Sequence, residues 1–218
     1  VQHGRGIHGP KSRATGELVC GPETLTDEEL AKNRTDMWKD VLEHPLVGPF
    51  YRERTGDLSK VTAPLLTCAN WGGQGLHPRG NFEGYMRAAS KQKWLEAHGG
   101  SHWAPFYTDY GVRLQKRFFD YFLKGEKNGW DRQPKVQLQV RHVDRFVERH
   151  EKAWPIPRTK WTRLHLDPAG QTLGPAPARP AGKVTYEALG EGVTFLAAPM
   201  ERDTEITGPL AAKLHVSS

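Results

Sequence analysis

Cysteine is scarce in this chain, and that excludes one class of protein at once. Two cysteines among 218 residues, Cys20 and Cys68, cannot build a disulfide framework, and their spacing fits no zinc motif. Cys68 lies within an apolar strand pattern, where a buried thiol is expected. Long hydrophobic runs are missing too: none approaches the roughly 20 residues of a membrane span, so the chain reads as soluble, with no membrane partner. The start, Val1-Gln2-His3-Gly4-Arg5-Gly6, has neither an initiator Met nor the charged head and apolar core of a signal peptide. Localisation is left unknown, with the cytoplasm favoured. Clustered charge is also absent. A net charge of +6 and a pI near 9.3 raise the question of nucleic acid. Bases and acids nevertheless alternate, as in Asp144-Arg145-Phe146-Val147-Glu148-Arg149, which describes a solvated surface, and no nucleic-acid partner is expected.

Serine is the most informative shortage. The chain has six: Ser12, Ser59, Ser90, Ser101, Ser217 and Ser218. A serine hydrolase holds its nucleophile on a sharp strand-to-helix turn written G-x-S-x-G, and none of the six stands in one. Gly99-Gly100-Ser101-His102-Trp103 comes near, but Trp103 takes the place of the last glycine. Ser101 and His102 are also sequence neighbours, whose side chains project apart on an extended loop.

What is present concentrates between Ala63 and Gly125. Ala63 to Asn70 is a short apolar run suited to a strand covered on both faces, and Trp71-Gly72-Gly73-Gln74-Gly75-Leu76-His77 is a glycine-rich loop. A helix over 81–90, a strand over 93–97 and a histidine-bearing loop follow. An amphipathic helix then ends at Gly125, placed as a C-terminal cap glycine. This order reads as βα units of a mostly parallel sheet. Upstream, Thr26-Asp27-Glu28-Glu29 has capping-box spacing, and Leu30, Met37, Val41 and Leu42 share one face of a helix that Pro45 ends. Downstream, Val136, Leu138 and Val140 alternate with polar residues as in a half-exposed strand. Leu164 to Leu166, Val193 to Ala197 and Ala211 to Val216 suggest further strands around a Pro/Ala-rich loop. The last pattern stops as it begins, as in a piece of a longer protein.

His102 is the candidate for chemistry. It follows a strand and precedes a helix, where open α/β sheets place reacting groups, and an imidazole there suits general-base work. A loop histidine that caps a helix or bonds a carbonyl occupies the same position equally well. His98 and His102 converge on a metal only if the backbone between them is helical, and Gly99-Gly100 opposes that, so neither metal nor cofactor is expected. Glu28-Glu29 lies in a first helical turn, where capping accounts for it.

Three segments together carry a resemblance: Trp71 to Gly80, the His102 loop, and Arg117-Phe118-Phe119-Asp120-Tyr121-Phe122-Leu123-Lys124-Gly125. They resemble the CocE/NonD hydrolases, which are related to cocaine esterase, α-amino-acid ester hydrolases and Xaa-Pro dipeptidyl-peptidases. Glu151-Lys152-Ala153-Trp154-Pro155 and Gly208-Pro209 are similar to that family's passage into a C-terminal jelly roll.

The resemblance implies an α/β fold class: residues 1–50 the end of a helical cap, 51–132 the last βα units of an α/β-hydrolase core, and 133–218 a partial jelly-roll β domain. It implies a Ser-His-Asp triad cleaving carboxylic esters or amides of a small molecule or short peptide. His102 matches the triad histidine as general base. The nucleophile lies upstream, in the N-terminal half of the same protein, so that this chain alone is expected to be inactive. The acid belongs two residues after Trp71, and Gly73 stands there; Asp109 is a local substitute that also fits a helix cap. A homo-oligomer is compatible with this reading. The alternative is a non-catalytic binding module of the same fold with a degenerate triad.

Overall fold

The computed structural model describes residues 11–18, 26–32, 36–73 and 77–217. The chain divides into two compact units, Val1–Asp57 and Leu58–Ser218.

In the first unit, the capping box forms as its spacing predicts. The Glu29 amide donates to Thr26 Oγ1 at 3.2 Å, and the Thr26 amide to Glu29 Oε2 at 2.9 Å, opening helix α1 (Asp27–Lys32). The single helix expected up to Pro45 is instead two, because Asp36 caps a second start: its Oδ1 accepts from the Lys39 amide at 3.1 Å, opening α2 (Met37–Glu43). Met37, Trp38 and Leu42 are exposed, as on a surface helix. A short α3 (Pro49–Glu53) follows with proline in its first turn.

The second unit is built on a four-stranded sheet in the order β1 (Leu65–Asn70), β2 (Lys93–His98), β3 (Val136–Arg141), β4 (Phe146–Glu151). The first three strands are parallel, with Leu65 opposite Lys93 and Leu95 opposite Val136; β4 returns antiparallel. Helix α4 (Pro78–Arg87) joins β1 to β2. A short α5 (Ala104–Tyr107) and a long α6 (Asp109–Lys124) join β2 to β3. Successive side chains of a strand point to opposite faces. On β2 this sends Leu95 and Ala97 into a cluster with Val136, Leu138, Tyr85 and Phe82 of α4, and Trp94 into one with Leu114 and Phe118 of α6 and Trp130. The sheet is thus covered on both faces, and the ends of its parallel strands carry the loops of interest.

Both ends of α6 follow from local chemistry. Thr108 Oγ1 accepts from the Gly111 amide at 3.3 Å, and Gly125 takes φ 70° while its amide reaches Asp120 O. The Asp120 carboxylate bridges Lys116 and Lys124. Those hydrogen bonds, to Lys116 first, hold it below the usual carboxylate range.

The strand expected at 136–140 forms as β3; it pairs with β2, and β4 with it. Two expectations about this region are corrected. The apolar/polar alternation misled because Gln137, read as facing solvent, is 6% exposed and hydrogen-bonded beneath α6. Farther on, β5 (His165–Asp167) and β6 (Thr172–Gly174) form a two-stranded ladder. Of the expected strand at 193–197 only Leu196 bridges to it, and residues 211–217 pair with no strand among the described residues, so their apolar pattern has no ladder to join. Among the described residues no helix is long and apolar enough to cross a membrane.

Candidate active site

The site assembles where β1 and β2 end side by side. Asn70, the last residue of β1, is 4% exposed and directs its amide nitrogen at the carbonyls of Gly99, Gly100 and Ser101, at 3.4, 3.4 and 3.3 Å. The Trp71 amide donates to His98 O at 2.9 Å, and the indole of Trp71 donates to Gln139 O at 2.8 Å. The Gly99 amide donates to Gln139 Oε1 at 3.0 Å. The loop after β2 is therefore tied to three strands.

Each glycine of Gly99-Gly100 has its own reason. A Cβ on Gly99 would lie 2.1 Å from the Phe146 ring at the start of β4, and Gly100 has φ 79°. Ser101 is engaged as well: its Oγ accepts from the Ala104 amide at 3.2 Å, at the start of α5. The serine nearest the histidine therefore serves as a local cap.

The loop delivers His102, half-buried, to the β1 loop. Its imidazole lies nearly parallel to that of His77, with centroids 4.7 Å apart and planes at 24°. Trp103 meets it edge-on at 4.9 Å and 87°. Gly73 stands on the Nδ1 side, where an added Cβ would fall 3.2 Å from Nδ1. The two positions that the resemblance pairs as acid and histidine are neighbours in space. Among the described residues no side chain hydrogen-bonds either ring nitrogen of His102. Asp109 does not serve as its acid: it opens α6, faces solvent, and lies 3.8 Å from Arg113. Beside this loop, Trp71, Gly72, Gly100, Arg141 and Phe146 line a cleft of about 370 Å3.

His98 and His102 part company. His98 is 3% exposed, and its Nδ1 lies 2.7 Å from Glu96 Oε2. Glu96, itself 2% exposed, accepts from the Tyr110 hydroxyl at 3.0 Å; Gln137 donates to that hydroxyl at 2.9 Å, and Gln133 to Gln137 at 2.8 Å. This buried network was not anticipated from the sequence. Its one signal is Glu96 inside a strand otherwise suited to double burial. It braces the end of β2 from which the His102 loop departs. A cavity of about 10 Å3, room for about one water, adjoins Cys68, Glu96, His98 and Tyr110.

Burial and the neighbouring Glu96 charge push the half-buried Cys68 thiol up to about 12. Because the folded value is raised, the thiol stays protonated in the native state. Any stability linked to it is lost as pH climbs past the ordinary thiol range and the unfolded chain begins to ionise. Iodoacetamide at pH 8 should accordingly label Cys68 roughly a hundredfold or more slowly in the native protein than in urea, read by peptide mass mapping. Cys20 lies outside the described residues.

Comparison with known proteins extends this picture. Residues 128–218 match the family described as the X-Pro dipeptidyl-peptidase C-terminal non-catalytic domain. Two crystal structures of a CocE/NonD family hydrolase from Staphylococcus aureus are similar at 40% identity over 65% of this chain, with TM-scores of 0.61 and 0.60. This chain is related to the CocE/NonD hydrolases. It spans 26% of the length of each of those chains. No protein with a curated description matches it. The matched family begins at residue 128, before β3, so the boundary of that sequence family falls inside the Leu58–Ser218 unit, whose sheet continues through β3 and β4.

Proposed function

We propose that this CocE/NonD-related chain carries the general base of a serine hydrolase that cleaves carboxylic esters or amides, and that His102 is that base. In this reading β1 and β2, with α4 and α6, belong to the last βα units of an α/β-hydrolase core (51–132), and residues 133–218, from β3 on, to a partial jelly-roll domain. The observation that carries it is the meeting of Gly73 and His102 at adjacent parallel strand ends, with the Cβ direction of residue 73 aimed at Nδ1 from 3.2 Å. His102 takes the proton of a serine supplied from outside these residues and returns it to the leaving group, while the loop anchored by Asn70 fixes where the imidazole stands. None of the chain's own serines occupies a nucleophile turn, and general-base catalysis without nucleophile and oxyanion hole accelerates little.

A labelled fluorophosphonate tests this. Applied to the complete reading frame, it should label one serine outside the 218 residues. A folded product that takes no label overturns the reading.

Gly73 supports a second reading, because a triad without its acid describes a binding module that has lost activity. Gly73→Asp separates the two. An aspartate there puts a carboxylate within reach of Nδ1 once the imidazole gives by a few tenths of an ångström. On the hydrolase reading, kcat/KM for an activated ester should rise about tenfold or more in the complete protein, since acid loss costs triads up to about 10^4-fold. An unchanged but substantial activity would mean that a carboxylate elsewhere already orients His102, and no activity in either form would favour the binding module.

A further inference from the structure

We infer that His77 is a positioning residue for His102, doing through ring stacking the orienting work that a carboxylate does in a complete triad. The inference rests on the reading of His102 as general base. A triad acid bonds Nδ1 and so fixes both the tilt and the rotation of the imidazole. Among the described residues the one beside Nδ1 is Gly73, which has no side chain to offer. The ring is held instead by two contacts at right angles: His77 lies on its face at 4.7 Å and 24°, and Trp103 meets it edge-on at 4.9 Å and 87°. Face and edge together define a plane, and offset-stacked and edge-to-face pairs are the arrangements that aromatic quadrupoles favour.

His77 is suited to the task because its own position is set from beneath. It stands at the N-cap of α4, yet its side chain makes no capping bond, so the imidazole is free to stack. Its backbone is fixed at both groups: the amide donates to Gly73 O at 3.3 Å, and the carbonyl accepts from the Asn81 amide at 3.2 Å and from the Asn81 side chain at 3.3 Å. Asn81 Oδ1 in turn accepts from Thr67 Oγ1 on β1 at 3.0 Å. A line of contacts thus runs from the sheet through Asn81 and His77 to the face of His102. The same backbone bond ties His77 to Gly73, the residue that the resemblance puts in the acid's place.

The test uses two variants and two readouts. In the 218-residue chain, the imidazole proton resonances of His102, assigned against His102→Gln, should carry an upfield ring-current displacement. His77→Ala should remove it, and His77→Phe, which keeps a stacking face, should retain it. In the complete enzyme, His77→Ala should lower kcat about ten- to hundredfold with KM little changed, as for a reacting group misplaced by about an ångström, and His77→Phe should restore it. Resonances of His102 unmoved by His77→Ala overturn the inference. So does an unchanged kcat in that variant while His102→Ala is inactive. Full activity in His102→Ala would instead overturn the reading of His102 on which the inference stands.

Discussion

Replacing His102 with alanine is expected to lower kcat of the complete enzyme by at least about 10^2–10^4-fold, the range that a positioned general base contributes. KM should change little, because the imidazole acts on the proton rather than on substrate binding. The fold should survive. His102 is half-buried on a loop, no described side chain bonds its ring nitrogens, and the loop is held through Asn70, Gly99 and Ser101 rather than through the imidazole. Thermal unfolding should therefore match the parent within about 0.5 kcal/mol. A variant that keeps its activity would remove His102 from the chemistry, and one that loses activity by unfolding would make the residue structural.

The largest effect on stability is expected at Trp130. It is 0% exposed, and its ring meets Trp94 at 5.4 Å and Phe118 at 5.3 Å, while Arg117 lies 5.6 Å from its centroid. Trp130→Ala removes the largest fully buried side chain of the second unit from a cluster whose members come from β2, α6 and the turn before β3. Those elements cannot all close on the gap, so a loss of about 3–5 kcal/mol is expected, read as a lowered urea midpoint. Trp130→Phe should recover part of it. A loss below about 1 kcal/mol would show that this cluster does not hold α6 to the sheet. Because α6 also brings Tyr110 to Glu96, the alanine variant should expose Cys68 to alkylation as well.

The family match and the site geometry meet at the end of the parallel sheet. The similarity to the X-Pro dipeptidyl-peptidase non-catalytic domain covers residues 128–218, whereas His102 and Gly73 lie before it. Within the domain's range, Phe146 packs over Gly99 and Gln139 bonds both the Trp71 indole and the Gly99 amide. A region named non-catalytic in its family thereby supplies contacts that shape the histidine loop here, and changes at Gln139 or Phe146 should be felt at His102.

Local patterns could be read from the sequence because they rest on neighbours along the chain. The Thr26 to Glu29 capping box, the strand before Trp71, the stripe of Leu114 and Phe118 and the cap at Gly125 each depend on residues within a turn or two of one another. Only non-local packing decided the rest. Alternation at Val136 to Val140 is the same whether the polar face meets water or a buried network, and Tyr110 on α6 made it the latter. Asp36 is the exception: it splits the helix by a local cap, accepting from the Lys39 amide, although the apolar spacing ran on unbroken. His77 was visible as a loop residue, but nothing within its own segment says that it will lie against His102, because that contact depends on β1 and β2 pairing in register. The sequence by itself determined that a histidine follows a strand on a glycine loop and that glycine stands two residues after Trp71, where the family resemblance places an acid. The tertiary structure decided that the two stand together with a second imidazole across the ring, since parallel pairing alone brings two loop ends some thirty residues apart to the same edge.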